Sequence, residues 1–170
     1  THSSIARYVS LTESVATLIE RQEISNTSFD ERGNVIDQTI DRYTTEGGVE
    51  YFASREIIKN LDISSRGDAL TQQITSYITA DTGGTLLETA YREITNRKFD
   101  SRRNVLNQLV LNYLDSTKAT LLDCQEIRNL SFDTRGNVLE QRIATFADAA
   151  ETTLLDVKVI TNEELDALGN

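Results

Sequence analysis

With 170 residues, 38% of them hydrophobic and 26% charged, the chain has the length of one ordinary domain but little material for a deep core. Its net charge of −10 argues against a nucleic-acid partner, which needs basic stripes, and against an anionic membrane surface. No apolar run approaches the roughly 18–20 residues of a spanning helix, so membrane insertion is not expected, while weak cation binding stays open.

In chain order, the opening Ile5-Ala6-Arg7-Tyr8 matches Ile40-Asp41-Arg42-Tyr43, which aligns Thr1 with Ile36 just beyond a turn. The chain starts on Thr, lacks Met throughout and shows no signal peptide, and so reads as a processed or excised piece. From there one unit recurs. Arg32-Gly33-Asn34, Arg66-Gly67-Asp68, Arg102-Arg103-Asn104 and Arg135-Gly136-Asn137 mark its first four copies, and Leu168-Gly169-Asn170 the fifth. The steps between the last residues of these motifs are 34, 36, 33 and 33 residues. Upstream stand Glu23-Ile24, Glu56-Ile57, Glu93-Ile94, Glu126-Ile127 and Val159-Ile160, each followed by an Asn: Asn26, Asn60, Asn96, Asn129 and Asn162. Downstream of the first four motifs come Ile36-Gln38-Ile40, Leu70-Gln72-Ile74, Leu106-Gln108-Val110 and Leu139-Gln141-Ile143, then Tyr43, Tyr77, Tyr113 and Phe146. The chain is a single array of five repeats of about 34 residues.

Each repeat reads as a β-hairpin. In Phe29-Asp30-Glu31-Arg32-Gly33-Asn34, Asp30 offers the side-chain acceptor of a type I turn, and Gly33 can take the left-handed conformation of a G1 bulge. Asp100 with Asn104, and Asp133 with Gly136 and Asn137, repeat these roles, while Gly67 and Gly169 repeat the Gly. Ser64 replaces the Asp and Arg103 the Gly, which predicts a weakened or altered third turn. After the turn, Ile36, Gln38 and Ile40 alternate with polar residues at the period of a strand. Before it, the apolar pairs Leu18-Ile19, Tyr51-Phe52, Leu86-Leu87, Leu121-Leu122 and Leu154-Leu155 predict a bulge or a two-sided environment.

Thr45-Glu46-Gly47-Gly48 and Asp81-Thr82-Gly83-Gly84 mark reversals at the other end of the unit, and Asp115–Lys118 and Ala147–Glu151 hold the same place without Gly. The expected fold is all-β, an antiparallel meander of about ten long strands. The alternative is a β-solenoid, in which the five Asn, and likewise Gln38, Gln72, Gln108 and Gln141, would stack as ladders. In a meander the Asn becomes a device of each hairpin, bonding backbone at a bulge, and the Tyr43 series packs on one face.

The residues Phe29-Asp30-Gly33-Asn34, Phe99-Asp100-Asn104, Phe132-Asp133-Gly136-Asn137 and Leu165-Asp166-Gly169-Asn170 resemble the Tyr-Asp (YD) repeats of bacterial Rhs proteins and teneurins. The likeness covers the turn and first strand of every unit, with a longer spacing here. It implies large secreted or surface β assemblies and transfers no catalytic residue.

Catalytic chemistry finds little footing. His2 is the only histidine, which disfavours a His-based triad or a zinc site, and the carboxylates recur in register as on a solvated sheet. Cys124 stands alone and reads as a small buried side chain. Turn aspartates could hold Ca²⁺, but no Asp-x-Asp-x-Asp-Gly loop is present and capping of the turn explains them better; no cofactor is expected. Asn26-Thr27-Ser28 and Asn129-Leu130-Ser131 match the glycosylation pattern, yet the Asn recurs where the Ser does not, so a structural role is favoured. The expected function is structural, with no enzymatic activity: a segment or subunit of an extracellular or cell-surface filament, tube or shell, its open sheet edges completed by copies of the chain or by more of a longer chain. The alternative is an adhesin-like module binding glycan or protein.

Overall fold

The computed structural model describes residues 1–14, 16–79 and 84–162. Ten strands follow in chain order: β1 (His2–Tyr8), β2 (Leu18–Phe29), β3 (Val35–Glu46), β4 (Val49–Ile63), β5 (Ala69–Thr79), β6 (Leu86–Phe99), β7 (Val105–Tyr113), β8 (Leu121–Phe132), β9 (Val138–Phe146) and β10 (Leu154–Thr161). They form one sheet in the order β1 to β10, every neighbour antiparallel, and β1 and β10 do not meet to close a barrel. This is the meander; the solenoid, which needs like positions adjacent, is excluded. Strand lengths run from 7 residues in β1 to 15 in β4. The strands after the third and fourth turns, β7 and β9, have only 9 residues each.

Turn chemistry sets the register. Gly33 N–H donates to Asp30 O at 3.0 Å and Asp30 N–H to Asn34 O at 2.9 Å, with Gly33 at φ 83°. That is a type I turn closed by a left-handed G1 residue. The same two bonds recur around Ser64–Asp68, Asp100–Asn104 and Asp133–Asn137. The turn expected around Gly169 and Asn170 lies outside the described residues, as does most of the reversal at Asp81–Gly84. At the opposite end Gly47 and Gly48, at φ 58° and 79°, close a two-residue hairpin between Glu46 and Val49. Without Gly, the loops after β7 and β9 place Lys118 (φ 59°) and Glu151 (φ 58°) in the left-handed region instead.

Two bulges recur on the strands that precede the turns, one inside each hairpin and one between successive hairpins. One lies just past the Asn: the ladder steps from Asn26–Gln38 to Ser28–Asp37, leaving Thr27 extra, and Leu61, Arg97 and Leu130 are extra in the same way. The other adjoins the aromatic series and leaves Ile19, Ala53, Thr89, Leu122 and Leu155 extra. The apolar pairs foretold this second bulge, which falls on the pair itself in the first, fourth and fifth units.

Among the described residues no second layer covers the sheet, and burial is shallow. Among the described residues only Tyr91, Val110, Cys124 and Ala144 are buried hydrophobics. One face carries an aliphatic stripe built from directly opposed pairs: Ile24 with Ile40, Ile58 with Ile74, Ile94 with Val110, and Ile127 with Ile143. The amides of the Asn and Gln series flank this stripe on the turn side. The other face carries the aromatics and most ion pairs.

Candidate functional site: stacked turns, an amide relay and two open edges

The turn aspartates are saturated with N–H donors. Asp30 Oδ1 accepts from Arg32 N–H (2.9 Å) and Asn34 N–H (2.8 Å), and Oδ2 from Asn34 Nδ2 (2.8 Å). Asp100 and Asp133 repeat all three bonds at 2.8–2.9 Å. The Asn34 side chain holds Asp30 well down, at a pKa of about 2, with the two backbone amides and Arg32 adding to it against the effect of burial. Asp100 and Asp133 are also lowered: burial pushes them up, and the donors from Asn104 and Asn137 outweigh it. Such carboxylates stabilise the fold fully above their unfolded pKa of about 3.9, and that contribution is lost as pH falls toward the folded value. The urea midpoint is therefore expected to be flat near neutrality and to fall between about pH 4 and pH 2. An Asp30→Asn, Asp100→Asn, Asp133→Asn variant should show a shallower acid slope and a lower midpoint at pH 7; an unchanged slope would remove the turns from this account.

Successive turns rest on one another. A Cβ built on Gly67 would lie 2.8 Å from Asn34 Oδ1 of the preceding turn, and one on Gly136 2.8 Å from Asn104 Oδ1, whereas Gly33 faces open space. The two departures from the turn motif form a compensated set. Ser64 Oγ accepts from Arg66 and Asp68 N–H and donates to Asp68 Oδ2 at 3.1 Å. Arg103, left-handed at φ 74°, places Nε 2.5 Å from Asp68 Oδ1. The third turn keeps its type, so of the two expectations the alteration is not seen; Arg103 holds the left-handed position beside its ion pair with Asp68.

The Asn and Gln series forms a relay that crosses hairpin boundaries. Within hairpins, Gln38, Gln72, Gln108 and Gln141 Nε2 donate to Asn26, Asn60, Asn96 and Asn129 Oδ1 at 2.7–2.8 Å. Between hairpins, Asn60, Asn96, Asn129 and Asn162 Nδ2 donate at 2.8 Å to Val35, Ala69, Val105 and Val138 O. Those carbonyls stand where the ladder between hairpins has ended. The β5–β6 register stops at Thr71–Thr95, the Arg97 bulge carries the backbone away, and Asn96 takes the carbonyl two residues farther out. Asn26 Nδ2 instead meets Thr1 Oγ1 at 3.2 Å. In both glycosylation-like triplets the Asn Nδ2 is thus already engaged.

On the opposite face, Arg21 lies 4.2 Å above the Tyr43 ring centroid and grips Glu50 through Nε (2.9 Å) and Nη2 (2.6 Å), which raises its pKa. Tyr43 meets Phe52 edge-on at 5.7 Å and Tyr113 meets Tyr91 at 6.2 Å, so these two members of the aromatic series pack on a ring of the neighbouring strand. Lys118 reaches back to Glu93, beside Tyr91, whose hydroxyl burial and Glu93 push up to about 12. Glu151 reaches farther, to Arg97 of β6 at 2.5 Å. Burial raises the thiol of Cys124, which is 0% exposed, and this is no reactive position. His2 Nδ1 lies 3.1 Å from Ser25 Oγ on the exposed β1–β2 pair. Among the described residues no three His, Cys, Asp or Glu gather as a metal site, and no helix is long and apolar enough to cross a membrane.

The edges complete the picture. Asn162 N–H donates inward to Leu139 O at 2.8 Å, so strand alternation turns the N–H groups of Thr161, Val159 and Val157 outward. All eight residues of β10 are exposed, including Leu154, Val157, Val159 and Ile160. Sequence reasoning found the Asn and Gln positions but not their acceptors across the hairpin boundary, because a backbone carbonyl leaves no mark in a sequence. The bulge that the meander reading placed beside the Asn is present, and the structure fixes it on the next residue, Thr27, Leu61, Arg97 or Leu130. Comparison with family models, curated proteins and solved structures found no match.

Proposed function

We propose that this chain is a structural repeat module whose sheet propagates end to end, through copies of itself, into a filament, tube or shell outside the cell. The observation that supports it best is the β10 edge, an apolar strand exposed along its whole length. Natural sheets protect such edges with charge, Pro or bulges, and β10 carries Asp156, Lys158 and the bulge at Leu155 only. A β1 strand from a second copy fits the repeat register there, with Ile5 opposite Ile160 as Ile40 is opposite Ile24. The net charge of −10 would keep such a polymer dispersed. The YD-like turns favour surface assemblies. In this role the chain is not an enzyme and needs no cofactor or nucleic acid. Sedimentation velocity over a concentration series tests it: assemblies that grow with concentration are expected, and a single species near 19.0 kDa at every concentration would overturn it.

The adhesin-like reading has one observation in its favour. A shallow groove of about 480 Å³ beside the third turn is lined by Arg97, Lys98, Leu106, Asn107, Arg128 and Leu130. Arg97 and Arg128 are paired with Glu151 and Glu126, which leaves Lys98 and the apolar floor to meet an acidic glycan or peptide. Binding by a monodisperse chain to an array of acidic glycans would favour it.

A further inference from the structure

The strand before each described turn holds an Asn whose Oδ1 accepts from a Gln of the strand after it, and this happens in all four complete hairpins. β10 is the fifth strand of this kind. Asn162 is already fixed by its Nδ2 bond to Val138 O, as Asn60, Asn96 and Asn129 are fixed by theirs. Among the described residues its Oδ1 has no donor, and no strand lies on the outer side of β10. A half-built copy of a connection made four times in the same sheet specifies what completes it.

We infer that the outer edge of β10 is a sequence-selective strand-docking site, whose occupant is an aliphatic-x-Gln-x-aliphatic strand of another repeat unit. The register follows from β2–β3. Asn26 faces Gln38, Ser25 faces Thr39 and Ile24 faces Ile40, so Asn162 takes the Gln, Thr161 the next residue and Ile160 the second aliphatic. Main-chain bonds to the outward N–H and C=O groups of Thr161, Val159 and Val157 supply affinity, and the Gln to Asn162 bond supplies selection. Ser3 stands at the Gln position of β1 and offers a shorter donor, so the edge ranks a Gln strand above β1. This rests on the propagation reading, in which β1 brings Ser3 and not a Gln to Asn162, because the Gln strands β3, β5, β7 and β9 are paired on both sides within their own chain. It adds that the edge discriminates strands by the residue at that position.

The experiment uses the full chain and a labelled synthetic peptide of residues 35–46, followed by fluorescence anisotropy. Saturable binding is expected, with hydrogen-exchange protection at Val157, Val159 and Thr161. The same peptide carrying Gln38→Ala should bind about tenfold more weakly, in line with loss of one hydrogen bond. Asn162→Ala in the protein should weaken the Gln38 peptide by a similar factor and leave the Gln38→Ala peptide unaffected. Equal affinity of the two peptides, or protection anywhere other than β10, overturns the inference. A chain that stays monomeric yet discriminates the peptides would refute propagation alone; a chain that polymerises but does not discriminate would refute only the docking rule.

Discussion

Replacing Asn96 by alanine is expected to lower the unfolding free energy by about 2–3 kcal/mol, a large loss for one half-exposed side chain. Two hydrogen bonds disappear together, one from Gln108 Nε2 at 2.7 Å and one to Ala69 O at 2.8 Å. Each is worth on the order of 1 kcal/mol, and the Ala69 carbonyl is left at a place where the β5–β6 ladder has already stopped. Asn96→Asp separates the two bonds. At neutral pH it keeps the acceptor for Gln108 but sets a carboxylate against the Ala69 carbonyl, so it should cost as much as alanine. Protonation restores a donor, so the deficit should narrow relative to the parent as pH falls. Urea titrations of the three proteins at pH 7 and pH 4 measure this. An Asn96→Ala loss below about 0.5 kcal/mol would make the relay incidental.

The second large effect separates two glycines with the same backbone conformation. Gly33 and Gly136 sit at φ 83° and 91°, so a side chain at either costs on the order of 1 kcal/mol in backbone strain. Gly33→Ala should cost about that and no more, since its new Cβ meets open space. Gly136→Ala should cost about 2–3 kcal/mol, because the Cβ would stand 2.8 Å from Asn104 Oδ1. Asn104 cannot yield freely, as its Nδ2 is committed to Asp100 at 2.9 Å. Thermal unfolding of both variants, and of Gly136→Ala combined with Asn104→Ala, checks this. The double variant should cost less than the sum of its parts. Equal losses for Gly33→Ala and Gly136→Ala would mean that the turns do not rest on one another.

Much of this was written locally in the chain. Asp30 with Gly33 and Asn34 dictates a type I turn with a G1 closure, and the Ile36-Gln38-Ile40 alternation dictates a strand, so the hairpins and their order were legible. The within-hairpin half of the relay was also within reach, since each Gln follows its Asn by a constant 12 residues. The between-hairpin half was not. Asn96 reaches Ala69 O only because the Arg97 bulge ends the ladder at Thr95, and register of that kind emerges from many strands at once. For the same reason the reach of Glu151 to Arg97, from the loop after β9 back to β6, has no local signal. Arg103 shows a third limit. Taken alone it reads as a strained turn; beside Asp68, 35 residues earlier, it is one half of an ion pair.

Negative-stain electron microscopy of the parent chain beside Val159→Pro tests sheet propagation most directly. Val159 is 64% exposed and its N–H points away from β9, so proline there should leave the module folded while capping the edge. Ordered filaments, tubes or shells are expected from the parent and dispersed particles from the proline variant. Dispersed single particles from both, at concentrations where the parent is fully folded, would contradict the account.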